Sequence, residues 1–432
     1  MKKPVQLLLL FVGIIASIVS CQPTAQIDES DVTRIITTLA SDEMEGRRMF
    51  TPGIEKASQF IQEEFEKIGL DYVDGLSSYE QQFNMYSITN ESAKVSINGQ
   101  QIDPSLVAVA VNQESMSISD ASEATFLVVG PNDNLQNTYA QARSEEGNVI
   151  ILVNNSHESL FNRFKSFLSR GNRVMEMNEG GMLMVLTNIT DVKSLDVEVI
   201  NNVKAESLSN VVGKIEGKRT DEVVLFSAHY DHLGIRGTEG DTIYNGANDD
   251  ASGTTAVITL AKYFKDMGKK PERTIMFAAF TAEEGGGYGS TYFSQQLNPD
   301  EIVAMFNIEM IGKPAVSGPN TAWITGFDKS NFGELLQKAV EGTEYEFYAD
   351  PYPTQNLFYR SDNATLARLG VPAHSISTTP IDVDEDYHQA SDEVSTLDLQ
   401  HMTNTIKAIA AAATRMISGE DTPTRVDKAN VR

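Results

Sequence analysis

With 432 residues, 41% of them apolar, the chain is long enough for one large core or two domains and too hydrophobic to stay disordered. Its 60 Asp and Glu outnumber 34 Lys and Arg, for a formal net charge of −26. That balance argues against nucleic acid as a partner, because neutralising phosphates needs clustered cations, and it reads as a solvated exterior. A single cysteine, Cys21, leaves no intramolecular disulfide and no thiolate metal site.

The chain opens on Met1-Lys2-Lys3 and an apolar run, Leu7 to Ile15, too short to span a bilayer well. The step that follows, Ile18-Val19-Ser20-Cys21, resembles a bacterial lipobox. It implies cleavage before Cys21 and lipidation of its sulfur, with residues 1–21 comprising the signal peptide and the lipobox. The mature protein is then expected at the bacterial cell envelope, held by acyl chains. Gln22 stands where an aspartate would favour inner-membrane retention, so the outer membrane is expected, on its periplasmic or its surface face. Residues 22–30 read as a polar tether.

Asp31 begins a helical pattern with Val32, Ile35, Ile36 and Leu39 on one face. A second helix is expected over Ile54 to Ile68, stopped by Gly69. Residues 91–205 carry no catalytic motif. Their short apolar runs, Leu106–Val111, Thr125–Val129, Val149–Val153 and Met182–Leu186, suit a small β-rich or mixed insertion. From Asn210 strands and helices alternate. Strands are expected at Val211–Ile215, Val223–Ala228, Thr274–Phe280, Ile302–Ile308 and Val371–Ser377. Helices are expected at Gly253–Met267, Tyr288–Gln296, Phe332–Val340 and Leu397–Ile417. Such alternation predicts a three-layer α/β/α sandwich around a mixed, mostly parallel sheet, with ligands gathered at the carboxyl ends of strands. Residues 31–90 and 206–418 would form this domain, and 419–432 a frayed polar tail.

Chemistry-bearing side chains cluster in five segments: AHYDHLG (Ala228–Gly234), NGANDDASG (Asn245–Gly253), FTAEEGG (Phe280–Gly286), NIEMIG (Asn307–Gly312) and DYHQASD (Asp386–Asp392). Together they offer histidines and carboxylates without thiolate, a donor set suited to zinc. His229 and Asp231 alternate on a strand end and face one side. Adjacent Glu283 and Glu284 point in different directions, so they can take different roles. The glycines after them lack a GKS or GKT ending and do not read as a phosphate loop. One carboxylate more than a single zinc needs suggests a paired centre plus a base.

The five segments, in this order, resemble the signature of the di-zinc aminopeptidases, metallopeptidase family twenty-eight. The resemblance runs from about Leu39 to Met416, apart from the insertion, where relatives often carry a protease-associated domain. It implies His229, Asp249, Glu284, Glu309 and His388 as metal ligands, with Asp249 bridging two ions. It implies Glu283 as the general base, Asp231 as support for the metal site, and Tyr387 as a polariser of the scissile carbonyl. Two zinc ions per chain are implied, with cobalt or manganese able to substitute. Arg360, in an RSDN segment resembling the family's RSDH, would meet a substrate carbonyl or carboxylate. His232 reads as structural.

Glu309 departs from the family pattern, which has aspartate there. One methylene longer, it either reaches one metal with the backbone set back, binds bidentately, or leaves that metal weaker. The implied activity is hydrolysis of N-terminal residues from peptides. The alternatives are a glutaminyl-cyclase-like acyltransferase on the same fold, a carboxypeptidase, and a non-enzymatic receptor-like ectodomain, a class whose chains lose ligands that this one keeps.

Overall fold

A computed structural model describes residues 25–432. Cys21 and the apolar run before it lie outside the described residues. At the centre is a mixed eleven-stranded sheet. Its middle is parallel, running in the order Ala373–Ser377, Ile302–Ile308, Arg219–His229, Arg273–Phe280. On one flank Thr321–Ile324 and Glu346–Ala349 extend it; on the other, Leu195–Ile215 and Glu80–Ile97 add antiparallel strands.

Period-two side-chain alternation assigns the two faces. Val224, Phe226 and Ala228 turn to one side with Ile275, Phe277 and Ala279, and pack under helices Glu29–Leu39, Pro52–Ile68, Ser252–Asp266 and Leu399–Ile417. Val223 and Leu225 turn to the other with Met276, Ala278 and Phe280, against Phe293, Leu366 and Ala367. Burial on both faces explains why these strands read as continuous apolar runs. Phe226 anchors the larger core: its ring stacks on Phe306 at 4.9 Å, Phe264 at 5.6 Å and Phe277 at 5.7 Å. The expected α/β/α sandwich is therefore the observed one.

Helix ends follow local chemistry. Pro52 sits in the first turn of its helix, where its missing N–H costs nothing, and Gly69 ends that helix at φ 75°. Asp398 caps the long C-terminal helix by accepting from the His401 N–H at 2.9 Å. The first helix starts at Glu29, two residues before the expected Asp31, with Ile27 already buried.

Two expected boundaries look different in three dimensions. The insertion holds its own sheet, ordered Val107–Val111, Gly181–Leu186, Asn148–Val153, Ala124–Val129. Helices Leu135–Ala142 and Glu158–Leu168 cover one face of it. The other face packs on Val95, Ile97, Val197 and Val199. Those residues belong to Glu80–Ile97 and Leu195–Ile215, which run unbroken from the central sheet into the insertion. The chain thus crosses positions 91 and 205 inside strands, and the two parts share a ladder instead of joining through loops. The C-terminal segment is docked, not frayed. Val426 is buried and its N–H bonds to the Gly370 carbonyl at 3.1 Å, while Arg425 donates to the carbonyls of Ile302 and Pro299. One apolar side chain and satisfied backbone groups are enough to hold a segment that composition alone marks as polar.

Candidate metal centre and active site

Four strand ends and one long loop converge here. His229 is the last residue of its strand; Glu309 directly follows the next strand over. His229 Nε2 lies 3.2 Å from Asp249 Oδ1 and 3.3 Å from Glu309 Oε1. The other oxygen of Asp249, Oδ2, faces His388 Nε2 at 3.2 Å, and that nitrogen lies 3.1 Å from Glu284 Oε1. Asp249 therefore turns one oxygen to each of two donor groups, as a bridging carboxylate must. His229, Asp249 and Glu309 form one group; Asp249 also belongs to a second, with His232 and Glu284.

The backbone around these groups is constrained. Ala282, Met310 and His388 adopt φ of 57°, 52° and 58°, an uncommon region for non-glycine residues; Ala282 precedes Glu283, Met310 follows Glu309, and His388 is itself a donor. Asp250 Oδ1 accepts the N–H groups of Gly253 and Met310, tying the start of the Ser252–Asp266 helix to the Glu309 segment. A Cβ on Gly253 would lie 2.1 Å from the Ile308 carbonyl, so only glycine permits that approach. Asp392 accepts from the N–H groups of both Asn248 and Asp249, at 2.9 and 3.0 Å, clamping the His388 loop onto the bridging residue.

Asp231 does something different from simple support of the histidine. Its carboxylate accepts the Glu283 N–H at 3.0 Å and the Glu284 N–H at 3.3 Å, whereas His229 Nδ1 pairs with its backbone carbonyl at 3.1 Å. One residue thus positions the expected base, one ligand carboxylate and the histidine tautomer together. Glu309 Oε2 accepts from Ser361 Oγ at 2.6 Å, which commits that oxygen and leaves Oε1 for the His229 group. With Oε2 engaged by Ser361, bidentate binding is the one of the three options that this arrangement does not favour.

The cleft beside the donors, about 70 Å³, is lined by Glu283, Met310, Trp323, Leu357, Ile381 and Tyr387, among others. Arg360 is exposed and donates from Nη2 to the Tyr387 hydroxyl at 3.1 Å. Tyr387 stacks on the His388 ring, with centroids 4.0 Å apart. Asn363, at the place of the family's histidine, is buried and donates to the Phe358 carbonyl.

Burial dominates the electrostatics. It raises Asp231 and Asp392 to about 7 and Asp362 to about 6, and it pushes Glu283 and Asp250 well above the usual carboxylate range. For Asp249 burial acts in the same direction, but His229, His232 and His388 outweigh it and hold the carboxylate low. His388, opposed by burial, is raised to about 9 by Asp249 and Glu284. The buried Arg47 guanidinium supplies a counter-charge and donates to the carbonyls of Leu39, Tyr230, Asn245 and Gly246. Crowded carboxylates and imidazoles with unpartnered atoms, among them Glu284 Oε1 and both His232 nitrogens, fit a cationic occupant. The nitrogen and oxygen donors fit zinc.

Arg47, Ser361 and Asp392 carry no role in the sequence reading. Asp392 does stand in the DYHQASD segment, four residues after His388, and Ser361 stands in the RSDN segment beside Arg360. His157, His374 and His401 lie apart from the donors. His374 bonds the Thr325 carbonyl and Ser330 hydroxyl, and burial lowers it to about 4.

A carboxylate that turns one oxygen to each of two donor groups, at the strand ends of an α/β/α sandwich, is suited to a paired metal centre. Residues 210–413 match the model of Peptidase family M28. Leucine aminopeptidase 1 of Trichoderma harzianum is 28% identical over 212 residues, 45% of this chain and 50% of that protein. A probable zinc metalloprotease of Pyricularia oryzae is 36% identical over 141 residues, 31% of this chain and 27% of that protein. The chain thus spans half or less of the length of these relatives. Among solved structures, an aminopeptidase from Aneurinibacillus sp. strain AM-1 superposes with a TM-score of 0.54 at 17% identity, covering 95% of this chain and 97% of that one. A zinc aminopeptidase from Bacillus subtilis gives 0.54 at 17% identity, over 92% and 97%. Both share the fold.

Proposed function

We propose that this protein is a zinc-dependent exopeptidase that removes N-terminal residues from peptides. The observation that carries the reading is Asp249, with one oxygen on each of two donor groups beside a cleft that Glu283 also lines. His229, Asp249 and Glu309 would hold one ion; Asp249, Glu284 and His388 would hold the other. When bound, the pair supplies Lewis acidity to the scissile carbonyl and makes the attacking water more acidic.

The remaining work falls to the chain itself. Glu283, poised by the Asp231 clamp on its backbone, takes the proton from the attacking water and delivers it to the leaving amine. Its raised proton affinity suits a group that must hold that proton between the two events. Tyr387 stays protonated, because burial raises its phenol, and donates toward the substrate carbonyl oxygen while Arg360 holds it in place. Glu283 and Glu309 present negative charge to the free α-amino group. Met310, Trp323, Leu357 and Ile381 offer an apolar wall for the residue being removed.

The test uses aminoacyl chromogenic substrates and metal analysis of protein lacking residues 1–21. About two zinc-class ions per chain are expected, with activity lost on chelation and restored by zinc or cobalt. Glu283→Gln should keep its metals and lose about 10²–10⁴-fold in turnover; Glu284→Gln should lose metal. Full activity in exhaustively demetallated protein would refute the reading.

The same proposal extends to location. Cys21 in the lipobox-like step supports a lipid anchor at the bacterial envelope, and no helix among the described residues is long and apolar enough to cross a membrane. Cys21→Ser should shift the protein from the membrane to the soluble fraction, or leave it unprocessed. An unmodified Cys21 thiol in mature protein, seen by mass spectrometry, would rule out the anchor.

A further inference from the structure

His232 stands two residues past the clamp carboxylate Asp231, with its side chain fully buried. Neither of its ring nitrogens has a hydrogen-bond partner. Its Nδ1 nevertheless lies 3.0 Å from Glu284 Oε1 and 3.9 Å from Asp249 Oδ2. Glu284 Oε1 is equally buried and unpartnered. Two such atoms in contact but out of hydrogen-bond alignment leave both polar groups unsatisfied, an arrangement that native interiors avoid unless something else satisfies them. A cation between them would do so.

The same oxygens meet His388 Nε2, at 3.1 Å from Glu284 and 3.2 Å from Asp249. Zinc with ligands at about 2.0–2.1 Å in a tetrahedron places them roughly 3.3–3.4 Å from one another. The four contacts, 3.0, 3.1, 3.2 and 3.9 Å, bracket that spacing. The ring is also held from behind. Gly246 has φ 56°, and a Cβ there would fall 2.5 Å from the His232 ring, so this glycine makes the space in which the imidazole faces the carboxylates.

We infer that His232, through Nδ1, is a fourth protein ligand of the second metal position, beside Asp249, Glu284 and His388. The inference rests on the metal-dependent reading above and adds to it a division of labour. Four protein ligands close the second position. The His229 group, with three, keeps the open place that a catalytic zinc requires. The second ion then organises the bridging carboxylate and the His388 loop.

The protein has six histidines, few enough to follow individually by NMR. Protein labelled with ¹⁵N-histidine and loaded with two ¹¹³Cd ions should show metal–nitrogen coupling at three imidazoles. Two couplings should be at Nε2, from His229 and His388, and one at Nδ1. His232→Ala should erase only the Nδ1 coupling and weaken binding of one ion at least a hundredfold, leaving the other ion in place. If that variant does not fold, the presence of one Nδ1-type coupling in the wild type still decides the matter. Two ions with Nε2 couplings alone overturn the inference and leave the metallopeptidase reading standing. Weakened binding in His232→Ala with no Nδ1 coupling in the wild type also overturns it, since His232 would then act on Glu284 and not on the ion. Protein that takes up no cadmium, zinc or cobalt would remove both readings.

Discussion

Glu309 divides its two oxygens between different tasks: Oε1 faces His229 and Oε2 accepts from Ser361. Ser361 Oγ in turn accepts from Asn307 Nδ2 at 2.7 Å, and Asn307 Oδ1 accepts from Ser227 Oγ. A chain of hydrogen bonds from the central sheet thus sets where the carboxylate sits. An aspartate is shorter by one C–C bond, about 1.5 Å, far beyond the roughly ±0.2 Å within which metal–ligand distances vary. It cannot keep the serine and reach the donor group from the same backbone. Glu309→Asp is therefore expected to weaken one ion, with activity recovering in excess zinc, and Glu309→Ala to lose that ion without recovery. Ser361→Ala should lower the same affinity by about 10–100-fold, as removal of a hydrogen bond to a ligand commonly does. Zinc titration of the three variants beside the wild type measures this. Equal stoichiometry and affinity in all four would take Glu309 out of the metal centre.

At the scale of elements, the site depends on loops being pinned to strands. The 378–392 loop carries Tyr387 and His388 but follows its strand at some distance. Its anchors are Lys313, paired with Asp384 and Asp386, and the Asp392 clamp on Asn248 and Asp249. Asp392→Ala would strand two buried N–H groups, each costing about 1–3 kcal/mol. A loss of roughly 2–5 kcal/mol in denaturant unfolding is expected, together with weaker binding of the ion that His388 would hold. Asp392→Asn keeps one acceptor oxygen and should recover about half of the stability. Unchanged metal affinity in Asp392→Ala would mean that the loop needs no such clamp. The core between the sheet and its helices is set by different physics: Phe226→Ala should cost about 3–5 kcal/mol through the cavity it leaves, without the metal affinity changing ahead of global unfolding.

For the whole molecule the consequence is a pH dependence of the metal-free protein. Buried Asp231 and Asp392 at about 7 and Asp362 at about 6 bind protons in the folded state that the unfolded chain has released. Carboxylates raised in this way stabilise the fold at low pH and cost stability as pH rises through the folded values. His388, raised to about 9, has the same sign: its contribution is full below about 6.5 and fades toward 9. His374 opposes them only between about 4 and 6.5. Demetallated protein should therefore lose stability from pH 5 to pH 8, by about a few kcal/mol per buried group at most, and melt at a lower temperature. Zinc should restore more at pH 8 than at pH 5, because ligands must be deprotonated to bind. Differential scanning calorimetry across that range, with and without zinc, checks both signs; a melting temperature rising with pH in the metal-free state would contradict them.

Much of this protein follows from its sequence taken alone. Buried parallel strands betray themselves as apolar runs, so Ile302–Ile308 and Thr274–Phe280 were readable almost to the residue. With Arg219–His229, these runs lead to His229, Glu283 and Glu309, because sheets of this kind collect their chemistry at strand carboxyl ends. Tertiary structure alone decided the rest, since it depends on groups far apart in the chain. Arg47 reaches carbonyls 183 and 198 residues away, and Asp392 reaches amides 143 and 144 residues away. The docking of Val426, the shared long strands of the insertion and the second oxygen of Glu309 have the same origin. A local pattern records what a side chain is and which face it takes. Which other side chain it meets, as His232 meets Glu284 across 52 residues, is a property of how the strands are ordered and which loops they leave facing one another.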